Sequence, residues 1–344
     1  MPAMHLLSLR ALIACLALLG ATSALAARAS PAFMWLGSIS APQEYPVEVY
    51  EGALIADGYS YPFSPIWGLI HGGWGQPGGV MSLGARPQAL PHTLRITWYA
   101  VKEKVFYTGE WPLDTASLNA RWEAARPNPR TGKRSPYTSL LVGLGPAGKV
   151  VLWAHGSVSQ VQVGSFRARA TTLTQEDARE DFQFFFRDAY RHTVHAEREL
   201  YAPALLARLK KEGWPDPARY DAYETRYPWQ IDGSRLGRQG PIRLLYQAFN
   251  GDLDIRVPQA LETAPAPRPL PRRIQAVWHD PEGREWVMDM HLAFEDIKAA
   301  MDALDGATDI RLRIETHPDG PRLYAVSARQ ALQVRLQHVD VVTD

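Results

Sequence analysis

The stretch Leu140–Phe166, LLVGLGPAGKVVLWAHGSVSQVQVGSF, sets apolar runs rich in Val and Leu on either side of Gly145-Pro146-Ala147-Gly148. Short apolar runs bounded by Gly and Pro predict a β-hairpin whose turn residues fix the fold-back. The pattern returns in Asp309–Val341, where Pro318-Asp319-Gly320 separates two alternating runs and a third follows. Each hairpin has a similar prelude. Upstream of the first lie TLRITWYA (93–100), a charged turn through Lys102-Glu103-Lys104, VFYTGEW (105–111), and a stretch in which Leu118 and Trp122 stand four apart behind Asp114. That spacing predicts a helix with one buried stripe and Asp114 as its N-cap. Upstream of the second lie RRIQAVWHD, the turn Pro281-Glu282-Gly283, REWVMDMHL and the helical pattern 293–304. Trp98 answers to Trp278, Leu113 to Leu292 and Gly148 to Gly320. The order predicts an α+β fold, mainly antiparallel, built from two related β-β-α-β-β-β units.

Between the units the period changes. Thr174 and Asp177 resemble a capping box, and Phe182, Phe185, Phe186, Ala189 and Tyr190 recur at helical spacing. A second helix is expected over about 203–212, stopped by Gly213 and Pro215. The Pro-rich segment 262–273 reads as a stiff connector. The expected organisation is a signal peptide over 1–26, an N-terminal β-rich unit over 27–172, a helical insert over 173–233 and a C-terminal β-rich unit over 234–344. In the first unit Val47-Glu48-Val49-Tyr50 alternates as a half-buried strand does. Between Gly68 and Gly84 the chain is glycine-rich and carries His71 and Trp74, with Trp67 just ahead. This composition excludes a regular helix and favours close backbone approach.

Composition sharpens this. The 344 residues are 46% hydrophobic and 21% charged, enough for two ordinary cores. A formal net charge of +1 gives no basic face for nucleic acid. Arg10, the apolar run Ala11–Leu25 and the ending Ala24-Leu25-Ala26 form a signal-peptide pattern, so the chain is expected in the periplasm or secreted. Cys15, the one cysteine, falls inside that segment. Leu12-Ile13-Ala14-Cys15 also resembles a lipobox, which would leave a lipid-anchored envelope protein; Arg10 interrupts the apolar run that a lipobox needs. No later stretch reaches the roughly 18 apolar residues of a membrane span.

Each motif with chemical content has a plainer competitor. Gly143-x-Gly145-x-x-Gly148 matches a dinucleotide fingerprint, but a strand follows it where the pyrophosphate needs a helix N-terminus. His71-Gly72-Gly73-Trp74 resembles an oxyanion-hole loop without the G-x-S-x-G elbow a lipase requires. His192, His195 and Glu199 could share a helix face and hold a metal; their charged surroundings favour a solvated face. Asn250-Gly251-Asp252 reads as a turn with solvent-facing acids rather than a calcium loop. No catalytic residue, metal or cofactor is assigned. Trp67, His71 and Trp74 are the candidate partner-binding residues, because they sit in a loop and most other tryptophans fall in strands.

Tyr45–Gly52 (YPVEVYEG), the glycine-rich loop, the Trp-Tyr and Phe-Tyr-Thr-Gly of 94–113, and Leu141–Gly148 followed by Val151-Leu152-Trp153 together resemble domain-of-unknown-function family 2931. The resemblance spans about residues 33–250. It implies an exported bacterial protein, often of lipoprotein type. It carries no activity or site residues, and suggests immunity against a secreted type VI lipase-type effector. The resulting expectation is a non-enzymatic periplasmic binding or immunity protein, with a cell-envelope hydrolase using His71 or a glycan-binding protein as alternatives.

Overall fold

The computed structural model describes residues 31–81, 86–128, 131–237, 240–256, 264–304 and 306–343. The signal-like segment with Cys15 and positions 82–84 of the glycine-rich stretch lie outside the described residues.

In the first half, strands β1 (Leu36–Ser40), β2 (Val47–Ala56), β3 (Tyr59–Phe63), β4 (Thr93–Ala100) and β5 (Val105–Pro112) precede helix α1 (Thr115–Ala124). Strands β6 (Tyr137–Leu144), β7 (Lys149–Gly156), β8 (Ser159–Arg167) and β9 (Arg169–Thr171) follow. One sheet runs β9-β5-β4-β2-β3; in the other, β1 lies parallel to β6, and β7 and β8 continue antiparallel. Alternation sets the inward face: Leu94, Ile96, Trp98 and Ala100 of β4 are buried and meet Leu140, Val142 and Leu152 of the facing sheet. Nearly every residue of β6 and β7 is buried, since these central strands are covered on both faces. Asp114 caps α1, its side chain accepting the Ser117 amide at 3.0 Å. The β6–β7 reversal is a 3₁₀ turn over Pro146–Gly148, with Ala147 at φ 52° and Gly148 at φ 71°.

The insert is less regular than its sequence suggests. Thr174 Oγ1 does accept the Asp177 amide (3.2 Å), but an α-helix does not follow; Glu180–Phe186 is 3₁₀ and α2 (Asp188–Val194) starts afresh. Three residues per turn bring Phe182 and Phe185 onto one face, stacked 4.9 Å apart, and both bury against Tyr50 and Phe106. Two more helices, α3 (Glu197–Leu200) and α4 (Pro203–Glu212), lead to the single turn α5 (Arg219–Ala222).

The second half comprises β10 (Arg226–Asp232), β11 (Arg243–Ala248), β12 (Leu253–Arg256), β13 (Ala266–Pro269), β14 (Pro271–His279), β15 (Glu285–Leu292), α6 (Phe294–Asp302), β16 (Ile310–His317), β17 (Gly320–Val326), β18 (Ala331–Val334) and β19 (Leu336–Thr343). Its pairings follow the first half step by step. Parallel β10–β16 corresponds to β1–β6, hairpin β11–β12 beside β14 to β2–β3 beside β4, and β15–β19 to β5–β9. Strands β16-β17-β18 correspond to β6-β7-β8. The correspondence in pairing therefore begins with strands upstream of the expected β-β-α-β-β-β. The Pro-rich segment is also more than a connector: β13 pairs with β10 as an edge strand, where proline's missing N–H costs nothing.

Strand β8 pairs with β12 through Ser159↔Asp254 and Gln160↔Leu253, so one nine-stranded sheet, β1-β6-β7-β8-β12-β11-β14-β15-β19, runs through both halves. The turn between β11 and β12 seals this seam. Trp153 Nε1 donates to the Asn250 carbonyl (3.1 Å), and Gln160 Nε2 to the carbonyls of Gly251 (2.7 Å) and Gly75 (2.8 Å). Asp252 and Asp254 are buried here, where solvent-facing acids were expected. Burial pushes the Asp252 carboxyl up, against the Gln162 amide hydrogen bond that favours its charge. The described residues are 47% strand and 19% helix, an α+β fold with mostly antiparallel sheet. No described helix is long and apolar enough to cross a membrane.

Candidate functional site

The glycine-rich loop is pinned along β1, the edge strand of the nine-stranded sheet. The Gly73 and Gly78 amides donate to the carbonyls of Ala41 (2.9 Å) and Ile39 (3.0 Å), and Ser38 and Ser40 hydroxyls donate to Gly79 (3.1 Å) and Gly73 (2.8 Å). A Cβ at Gly78 would lie 2.7 Å from the Ile39 oxygen. Close approach is what the glycines permit, as their density indicates, and the edge is thereby covered.

Ahead of the loop, Ser64 caps a 3₁₀ turn over Pro65–Trp67 that holds Ile66 outward, 83% exposed. The Trp67 ring stands edge-on to Phe63 at 5.5 Å. Behind this turn opens a cleft of about 480 Å³, lined chiefly by Trp67, Leu69, Ile70 and His71 from the loop and by Leu200 and Leu205 from α3 and α4. Burial lowers the pKa of His71 and so favours the neutral imidazole, which offers one donor and one acceptor in a wall whose other polar side chain is Gln43.

Trp67 and His71 thus share a cleft, and Trp74 stands apart from it. Trp74 is only 6% exposed and packs edge-on against Trp153 (5.1 Å) and Tyr220 (5.3 Å), so its ring serves packing rather than standing free in the loop. Its ring is part of what joins the insert to the outer face of the nine-stranded sheet. The His192, His195 and Glu199 face, expected to be solvated, is split. His192 and Glu199 are exposed, while His195 turns inward, its Nε2 3.3 Å from the buried Glu48 carboxylate. The His195 ring stacks on Tyr99 at 5.8 Å, and Tyr190 donates to the other Glu48 oxygen at 2.5 Å. No cluster of metal-ligating side chains occurs among the described residues.

The sequence reading missed this Glu48–His195 pair and the cleft of about 520 Å³ beside it, lined by His195, Tyr99, Lys102, Arg191, Tyr201 and Trp214 among others. One signal was available: Glu48 sits in a strand whose other face had to be covered once the aromatic-rich insert was assigned a buried stripe. Neither cleft brings a Ser, Thr or Cys hydroxyl or thiol beside its histidine among the described lining residues. Each offers a shaped, partly apolar surface with a few fixed polar groups, the chemistry of recognition.

A family model described as "Protein of unknown function (DUF2931)" matches residues 21–203, covering the first half, the 3₁₀ segment and the start of α4. No curated protein and no solved structure matches the chain.

Proposed function

Because the chain belongs to the DUF2931 family, whose description assigns no activity, we propose its role from its surface: an exported binding protein that captures a partner protein at the Ile66–Trp67 turn. The observation that carries this reading is Ile66, held in water by a capped turn at the rim of the apolar cleft containing Trp67 and His71. An exposed branched side chain on a rigid support, next to a pocket able to accept the partner's own apolar residue, is the arrangement of an interface anchor. Val80, 54% exposed, extends the apolar surface along the same loop. The signal-like segment supports export, and the lipobox-like Cys15 supports a lipid anchor as the variant form. A secreted lipase-type effector is the partner we propose, with inhibition by occlusion. The recurrence of strand pairings supports an internal duplication that supplies the scaffold, leaving recognition to the loop and the insert.

Co-expression with the product of the adjacent gene, followed by affinity capture, tests the proposal. Wild-type protein should retain that partner, and Ile66→Asp should weaken binding about 30-fold or more, the effect of removing an interface hot spot. Full retention by Ile66→Asp and by Trp67→Ala would place the interface elsewhere. Neutral His71 also supports a second reading, an envelope hydrolase with His71 as base. That reading requires hydrolysis of an envelope ester by the purified protein and its loss in His71→Ala.

A further inference from the structure

A third cleft, of about 520 Å³, lies where the loop, the insert and the second half meet. Its lining includes Arg208 and Glu212 from α4, Arg219 from α5, Arg272 from β14, and Glu44. Arg208 is paired with Glu44 at 3.2 Å, and Arg219 Nη2 reaches Glu295 at 3.4 Å. The remaining cation is different. Arg272 has no carboxylate within ion-pair distance among the described residues, and its one hydrogen bond is a long one, Nη1 to the Trp74 carbonyl at 3.4 Å. The neighbours that act on its charge are Tyr223, which favours it, and Arg273, which opposes it; burial opposes it most. Arg219 Nε, on the same cleft, is buried with no hydrogen-bond partner.

A largely desolvated guanidinium without a counter-charge is costly, and an orphaned donor elsewhere on the same cleft adds a cost of its own. A bound oxyanion relieves such a cost, since guanidinium N–H groups match the planar oxygen pair of a carboxylate or the oxygens of a phosphate. One wall of the cleft is aromatic: Tyr223, Phe249 and Phe294 form a cluster with ring centroids 4.8–5.3 Å apart. We propose that this cleft is a binding site for a small organic anion, its carboxylate or phosphate held by Arg272, with Arg219, whose guanidinium lies over the Tyr223 and Phe294 rings at 5.9 and 5.6 Å, as the second cation of the cleft, and its planar or apolar body lying against Tyr223 and Phe249. The site is distinct from the protein-capture surface, and the two clefts adjoin at Gln43 and Gly72. An occupied anion site would therefore brace the loop from behind.

Calorimetric titration of the full chain with inorganic phosphate, acetate, benzoate and phenyl phosphate tests this. Phenyl phosphate and benzoate should bind saturably and more tightly than phosphate and acetate. Arg272→Gln should weaken binding about tenfold or more. Arg219→Gln, at a half-exposed position, tests the same claim should Arg272→Gln fail to fold, and should also weaken binding. The proposal is overturned if the wild type binds none of the four anions, or if Arg219→Gln and any folded Arg272→Gln protein bind as the wild type does.

Discussion

Lys149 shows how single residues join the parts. The residue is 4% exposed, and its ammonium lies 2.8 Å from Asp221 and 2.9 Å from Glu224, both from the α5 region, while donating to Ser165 at 3.0 Å. Burial alone would raise the Asp221 pKa; hydrogen bonds from Lys149 and Arg167 outweigh it and hold the carboxyl below its ordinary value. The two sides of this bridge are unequal. Lys149→Met removes the buried charge and leaves the half-exposed Asp221 with Arg167, so it should cost about 1–2 kcal/mol. Asp221→Ala with Glu224→Ala strands the ammonium and should cost about 3 kcal/mol or more. Denaturant unfolding at pH 7 measures both, and equal costs would refute the assignment of Lys149 as the buried partner. A carboxyl with a depressed folded pKa contributes stability above its unfolded value, about 3.9, and loses it as pH falls through the folded value. The gap between wild type and Lys149→Met should therefore narrow below about pH 4.

At the scale of elements, the two corresponding hairpins differ in what surrounds their turns. Gly148 and Gly320 both have left-handed φ, 71° and 123°. A Cβ at Gly148 would sit 2.6 Å from the Ala168 carbonyl, whereas at Gly320 it would meet nothing. Gly320→Ala should cost about 1 kcal/mol from backbone strain, and Gly148→Ala about 2–4 kcal/mol, because a backbone oxygen must also move. Thermal unfolding of the two variants checks the order. The Gly-Pro-Ala-Gly and Pro-Asp-Gly turns, the alternating strands β4 and β16 and the capped helix α1 were legible because each is encoded within a few residues. The broken helix over 174–194 was not, since the i, i+3 spacing of Phe182 and Phe185 serves a 3₁₀ turn as well as an α-helix, and packing against Phe106 decides between them. Nor was β13, whose prolines suit an edge strand that only distant β10 can define. For the site, the glycine-rich loop and His71 could be read locally. The burial of Trp74, the inward turn of His195 and the isolation of Arg272 could not, because each depends on chain brought from 50 or more residues away.

The whole molecule is a pair of similarly paired halves that each contribute strands to one nine-stranded sheet, with part of the insert covering its central strands on the face away from the first core. That arrangement commits most of the aromatic content of the described residues to packing and leaves two apolar surfaces for a partner protein to compete over. One is the Ile66–Trp67 turn with its cleft. The other is β19, which among the described strands pairs only with β15 and exposes Val341 and Val342. A sheet edge of this kind can add a partner's strand, so it is the natural competitor for the same role. Hydrogen–deuterium exchange on the protein with and without its captured partner separates them. Protection concentrated in 64–81 and 200–206 is the expected result; protection confined to 336–343, with the loop unchanged, would contradict capture at Ile66 and Trp67.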